Sequence, residues 1–401
     1  MCRPACAGLD ISADASGAFT VVVELPFAVR GAGAVPGGRT VFVTAEQSYA
    51  STPPNLWDWR CRYPRRSRRC FEMFARGDVQ CPPETIIEFA DAAVIDGKYV
   101  LSRDRIGVGE SFADVWLDEA LVARMAPALA AIDRRDVTRI ADRGPPVLHI
   151  FKEGADNFGH VVVEMLPKLV HAAAIGLKHC RVLLPAQGEK LRGLAAYAGA
   201  VLGMQLEFIP CPPGSVVLVE RLLWCGPVAK HGARKSRTLL ALADRLLADA
   251  PRADGPSRLY VTRPAGAIRP IIDNAELENL ARARGYAVVE PGRLPFREQL
   301  SLFRGAQMLL GPLGAGLTNA LAMAEGTKVG MIDPGLCDPF FWDLACLKQQ
   351  QFTWIFTREI TPFEPKRLTA PFAVDIAALG PALDWFESDP PPRPAPRSAA
   401  A

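Results

Sequence analysis

What the chain has little of narrows it first. Its 46 Lys and Arg nearly balance 43 Asp and Glu, for a net charge of +3. Bulk electrostatics therefore predict no nucleic-acid partner. Ten cysteines are present, but no two form a Cys-x-x-Cys pair. In a chain of 401 residues that argues against a disulfide scaffold and against a zinc site. No basic segment followed by an apolar core opens the sequence, so no secretory signal is expected and a reducing cytoplasm is the default compartment. One long stretch, between Arg304 and Glu325, has no charge at all. It carries Gly-Pro-x-Gly-x-Gly and then Thr-Asn at its centre, which does not suit a spanning helix.

A chain of this length has room for two domains with proper cores. Residues 1–80 pattern poorly and read as an irregular N-terminal extension. Their basic run, Arg60 to Arg69, is a solvated loop or a contact with anionic lipid headgroups or an acidic polymer. Residues 81–250 read as one α/β domain. Asp96-Gly97 between two apolar runs suits a two-residue type I′ hairpin turn. Val115 to Ile132 reads as a helix, and Pro145-Pro146 breaks the chain before a strand over 147–151. Strands at 180–184, 206–209 and 221–224 then alternate with helices at 191–202 and 236–250. The polar, Pro- and Gly-bearing stretch 251–257 marks a boundary. Residues 257–387 alternate more cleanly, with strands at 259–262, 286–289, 308–310 and 328–332. Asp273-Asn-Ala-Glu276 has capping-box spacing for the first helix between them. Four strands with three intervening helices predict a doubly wound parallel sheet. The tail 388–401 is Pro-rich and expected to be disordered.

Two stretches carry the chemistry. The first is Gln307 to Ala324, in which an apolar run, a turn of Gly311, Pro312, Gly314 and Gly316, and an apolar helical spacing succeed one another. Strand, glycine turn and helix aim free backbone N–H groups at a phosphate; the plainer reading is a tight turn in a core. Ligands in such sheets bind beyond the carboxyl ends of the strands. Those ends bring Thr262-Arg263, Glu290, the glycine turn and Asp333 to one edge. The set suits a nucleotide diphosphate, with Arg263 against the phosphates. The amides of Gly314, Ala315, Gly316, Leu317 and Thr318 would surround them, and Asp333 or Glu290 would face ribose hydroxyls. The second stretch is Asp156 to Ala174. At about 100° per residue, His160, Glu164, Lys168 and His171 share one face of an otherwise apolar helix, with Asn157 starting the stripe. Such a stripe lines a wet cleft or is satisfied by partners in a core. Pro167 is expected to kink the helix.

In order along the chain, Asn157-Phe-Gly-His160, Glu164-Met-Leu-Pro167, Tyr260-Val-Thr-Arg263, Arg269 before Asp273-Asn274, and Gly311-Pro-Leu-Gly-Ala-Gly-Leu-Thr-Asn319 resemble glycosyltransferase family 61, in its bacterial capsular-polysaccharide-biosynthesis-like branch. The resemblance covers roughly residues 90–335. It implies a GT-B-like fold, two Rossmann-type domains facing a cleft, with a nucleotide-diphosphate sugar held by the C-terminal one. The helix over 377–386 would cross back to the first domain. The implied activity is inverting, metal-independent transfer to a saccharide or lipid-linked acceptor, with no cofactor beyond the donor. Arg263, Arg269, the turn from Gly314 through Asn319 and Asp333 become donor-binding residues. His160, Glu164 or Asp156 becomes the base. The implied setting is surface polysaccharide biosynthesis in the cytoplasm, with possible contact at the inner face of the membrane. Leu313 stands where the family has His, and Asp273-Asn274 replaces Asn-Glu. Three other options arise from Leu313: altered donor choice, compensation by Arg269, or a catalytically silent sugar-binding relative. A GT-B-shaped nucleotide-sugar epimerase is a further alternative.

Overall fold

The computed structural model describes residues 10–13, 19–22, 27–57, 72–112, 119–133, 137–251, 254–263, 266–356 and 371–388. The basic run Arg60 to Arg69 and the Pro-rich tail from Asp389 lie outside them. The described chain is mixed α/β and separates into two compact units. The first holds residues 1–45, 83–161 and 165–227, and the second holds 46–82, 162–164 and 228–401. The division thus falls at 227/228 and not within 251–257. Helix Thr238–Asp249 belongs to the second unit. The first 80 residues are not a uniform extension: strands Val29–Arg30 and Gly38–Val43 join the first unit, and Asn55–Trp57 joins the second. Strands this short carry too little alternation to be recognised locally.

The first unit is built on a ten-stranded mixed sheet. Gln205–Cys211, His179–Pro185, Val147–His149 and Val216–Cys225 lie side by side and parallel. Thr85–Ile95 runs antiparallel to the last of these over nine paired positions, from Val216↔Ile95 to Cys225↔Ile86. The inner strands are rich in Val, Ile and Leu because both faces are covered, and Val94, Leu148, Leu183 and Leu222 are buried. Asp96 and Gly97 have φ of 55° and 70°, and Lys98 N–H closes the turn on Ile95 carbonyl at 3.0 Å. This is the I′ geometry the sequence asks for, but Ile95 pairs with Tyr99, so the loop is one residue longer than expected.

The second unit centres on a six-stranded, all-parallel sheet. Its strands are β1 (Asn55–Trp57), β2 (Arg258–Val261), β3 (Ala287–Val289), β4 (Met308–Pro312), β5 (Lys328–Asp333) and β6 (Gln351–Phe356). They lie in the order β3-β2-β4-β5-β6-β1. Helices α1 (Asn274–Ala283), α2 (Phe296–Arg304), α3 (Phe340–Leu347) and α4 (Ile376–Glu387) accompany them. Helix α4 does not leave this unit. Its Leu379, Ala382, Leu383 and Phe386 join Tyr260, Leu310 and Ile332 in one buried cluster, which takes this apolar face out of water. Among the described residues no helix is long and apolar enough to cross a membrane.

A buried polar knot ties residues 46–82 into this unit. Asp343 of α3 accepts from Tyr49 Oη at 2.6 Å, Arg76 Nη2 at 2.6 Å and Lys235 Nζ at 3.1 Å. Lys235 and Asp343 are both 0% exposed, so the three donors are what make a buried carboxylate tolerable.

Candidate active site

The chain leaves β2 for β3 on one side and returns to β4 on the other. The order of the strands therefore reverses between β2 and β4, which is where sheets of this kind form a crevice beyond the carboxyl ends. The glycines of the turn after β4 allow the two strand ends to approach. A Cβ on Gly316 would lie 2.5 Å from Val261 Cγ1, and one on Gly311 would lie 3.0 Å from Val261 carbonyl. Gly314 leaves the space that the Arg263 guanidinium fills. Arg263 donates to the carbonyls of Ile268 and Leu313. Thr262 Oγ1 donates to Glu278 at 2.5 Å, and Asn274 Nδ2 reaches Thr262 Oγ1 at 3.0 Å and Arg263 carbonyl at 3.3 Å. These contacts from α1 hold the backbone that carries Arg263.

Arg269 lies close enough to Arg263 to disfavour its charge. Burial, and then Arg269, brings the Arg263 pKa down to about 10. Burial also lowers Arg269, against the pull of the Asp333 and Asp338 carboxylates. Neither guanidinium makes an ion pair among the described residues, and the Nε atoms of both are buried without a hydrogen-bond partner. Two desolvated cations at a strand-end crevice are costly unless an anion joins them.

The rest of the expected donor set divides. After Gly314 the chain forms a 3-10 helix, Ala315–Ala322, not the expected α-helix. Asn319 Nδ2 donates back to Gly316 carbonyl at 3.1 Å, a local bond that competes with a longer-range ladder. Thr318 is 1% exposed and its Oγ1 is unpartnered; Leu317 is buried, while Ala315 and Gly316 are partly open. Asp333 does not face outward. Its Oδ1 accepts the N–H of Gly335 at 2.9 Å and Leu336 at 2.7 Å, and its Oδ2 accepts Cys337 N–H at 2.9 Å and Trp354 Nε1 at 2.8 Å. Burial lifts its pKa to about 6 against those four donors. Asp333 therefore shapes the turn after β5, and its oxygens are committed. Glu290 is partly exposed and pairs with Arg293 at 2.7 Å. Leu313 is 2% exposed; what it gives the crevice is its carbonyl.

The polar stripe is broken. Asn157 caps the helix that starts at Phe158, accepting Gly159 N–H at 2.9 Å. Val161–Met165 then widens into a π-helical turn, with Leu166 N–H bonded to Val161 carbonyl at 2.9 Å. The extra residue rotates everything after it, so a constant 100° per residue fails. In the first unit, Lys168 Nζ donates to Ile150 carbonyl at 3.0 Å, and His171 pairs with Glu84 at 2.5 Å. These two are partnered core groups. Also there, Asp156 is exposed and His160 is half-buried, its Cδ2 packed where a Cβ on Gly154 would come within 3.0 Å.

In the second unit, Glu164 is 1% exposed and its Oε1 lies 3.8 Å from Nδ1 of His231. His231 Nε2 lies 3.4 Å from Oδ1 of Asp338. Burial pushes His231 down, but Asp338 and then Glu164 more than offset it, so its pKa ends above the ordinary value. Burial raises Asp338, and the hydrogen bond and charge of His231 reverse that, leaving it lowered. Asp338 also acts on Arg269, so one carboxylate links the Glu164–His231 pair to the cationic crevice. Neither His231 nor Asp338 was marked by the sequence. Each sits in a loop, beside Gly232 and Pro339, with no periodicity to single it out.

Residues 158–330 match the model of the family described as Glycosyltransferase 61. No curated protein matches the chain.

Proposed function

From the premise that residues 158–330 are a glycosyltransferase 61 domain and that the protein is a glycosyltransferase, we propose that it moves a sugar from a nucleotide-diphosphate sugar to a saccharide or lipid-linked acceptor, with inversion. The observation that carries this reading is the pair of desolvated guanidiniums of Arg263 and Arg269, neither in an ion pair among the described residues, with Arg263 beside the Gly314–Gly316 turn. In the reaction an acceptor oxygen attacks the anomeric carbon, the bond from that carbon to the diphosphate breaks, and the hydroxyl proton passes to a base. The departing diphosphate gains negative charge, which the two guanidiniums and the amides of the turn stabilise without a bound metal. Position 313 contributes a carbonyl that holds Arg263, so Leu in place of His keeps that role, and the reading favours an active enzyme over a silent relative.

Glu164 is the base in this reading, because Asp338 connects its partner His231 to the phosphate-binding cations. His160, one turn earlier on the same helix, and Asp156 are the alternatives. A GT-B-like arrangement of two Rossmann-type units and a place in surface polysaccharide assembly at the cytoplasmic face of a membrane belong to the same proposal. The test is a panel of nucleotide-diphosphate sugars, read by released nucleoside diphosphate with and without oligosaccharide acceptors. Glu164→Gln is expected to lower turnover by about 10²–10⁴ with donor affinity unchanged, and His160→Ala by less. No turnover with any donor sinks the reading; product formed from the donor alone by epimerisation points to the other chemistry.

A further inference from the structure

We propose that His231 is a positioning residue for transfer: held by Asp338, it supplies the cation that keeps the Glu164 carboxylate ionised. This rests on the reading of Glu164 as the base. Glu164 has almost no contact with solvent, at 1% exposure, whereas the His231 side chain is 41% exposed. An ionised carboxylate taken out of water needs a cation beside it, and the imidazole at 3.8 Å is placed to be that cation. Its ring plane is fixed by Phe340, stacked at 5.3 Å between centroids and tilted by 28°. Its far nitrogen is fixed by Asp338 at 3.4 Å.

The surrounding charges define the titration. Glu164 faces His231 from the helix that starts at Phe158, and Asp338 faces it from the approach to α3. Lys235, in the loop that carries His231, opposes its protonation. Lys235 is committed to Asp343 at 3.1 Å and sits 4.2 Å from the Phe340 ring centre. Asp338 in turn raises Arg269 on the crevice side, and Lys235 lowers Asp338. His160 precedes Glu164 by one turn. Two carboxylates against one imidazole favour the imidazolium, as the raised His231 pKa reflects. Loss of that cation leaves Glu164 buried and easier to protonate, so more alkaline solution is needed to expose the base.

The experiment is the pH dependence of kcat/KM for the nucleotide sugar that turns over in the panel, for wild type, His231→Gln, His231→Lys, Asp338→Asn and Glu164→Gln. His231→Gln is expected to move the acidic limb up by about one pH unit, with affinity for the nucleoside diphosphate held within about twofold. His231→Lys, which keeps a cation, is expected to leave the limb near its wild-type position. Asp338→Asn should shift it in the same direction as Gln, and serves should His231→Gln fail to fold. An unmoved limb in both neutral variants, with Glu164→Gln inactive, overturns the role of His231 and leaves Glu164 as the base. Retained turnover in Glu164→Gln instead removes the reading on which the role rests.

Discussion

Replacing Arg263 by Ala should weaken diphosphate binding while leaving the ligand-free protein no less stable. Burial, and then Arg269, bring the Arg263 pKa from its ordinary, far higher value down to about 10. At ~1.4 kcal/mol per pKa unit, that gap corresponds to roughly 3 kcal/mol of disfavour toward the charged form, and to less after allowance for its partial exposure. The substitution also removes two hydrogen bonds, to the carbonyls of Ile268 and Leu313, each worth about 1 kcal/mol net. The two effects nearly cancel, so the melting temperature without ligand should stay within a few degrees of wild type. Binding behaves differently. A diphosphate recovers the desolvation of both guanidiniums, and removing one of them should cost about 2–4 kcal/mol, or ~30- to ~1000-fold in Kd. Calorimetry and thermal shift against a nucleoside diphosphate, inorganic pyrophosphate and the free nucleoside separate the terms. The diphosphate and pyrophosphate should lose affinity together, and the nucleoside should not. Equal loss for the nucleoside, or no loss for pyrophosphate, would show that Arg263 is a structural cation and that the crevice is not a phosphate site.

Asp333 is expected to act on stability and not on binding: Asp333→Asn should leave donor affinity unchanged while disrupting the acceptance of Cys337 N–H and Trp354 Nε1. Its folded pKa of about 6 lies above its ordinary 3.8, so its contribution to stability is fully present below pH ~4 and is lost as pH rises through ~6. Urea midpoints should therefore show wild type gaining on Asp333→Asn by about 2 kcal/mol between pH 7.5 and 4.5; a flat difference refutes the assignment. Asp343→Ala leaves the buried Lys235 and the half-buried Arg76 without their carboxylate and should cost about 3–5 kcal/mol by urea denaturation. A cost below ~1 kcal/mol would mean that water reaches the knot.

Much of the second unit was legible because its strands are short apolar runs bounded by Gly, Pro or charge, and β2, β3, β4 and β5 are read from such runs to within two residues. What escaped were the two strands on one flank. β6, Gln351 to Phe356, has strand composition, but nothing after the fourth expected strand demanded another. β1 is three residues, Asn55 to Trp57, contributed from far earlier in the chain. Local pattern says nothing of where such a fragment pairs, since the bonds that hold it belong to β6. The same blindness leaves residues 1–80 reading as an irregular extension, although Asp343 draws Tyr49 and Arg76 into a buried knot.

Position at a strand end and direction of a side chain are separate questions, and sequence answers the first far better than the second. Arg263 and Asp333 stand at equivalent ends of parallel strands, yet one guanidinium lacks a carboxylate and the other group is fully bonded. The difference lies in the loop that each strand end leads into. Asp333-Pro-Gly335 turns back so that three backbone N–H groups and a Trp from the neighbouring strand close on the carboxylate. The loop after Arg263 returns a second cation, Arg269, at a φ of 59°. A carboxylate can be saturated by its own turn because backbone supplies donors one after another; a guanidinium has five donors and needs acceptors, and Arg263 finds the Ile268 carbonyl in its own loop and the Leu313 carbonyl in the turn after β4. The helix at 158–174 makes the same point. A fixed angle per residue predicts one stripe, and one π-helical turn before Pro167 sends Lys168 and His171 to core partners instead. Glu164 sits inside that turn and meets His231 instead. The residue that breaks the periodicity is thus the one that separates the partnered part of the stripe from the part left for chemistry.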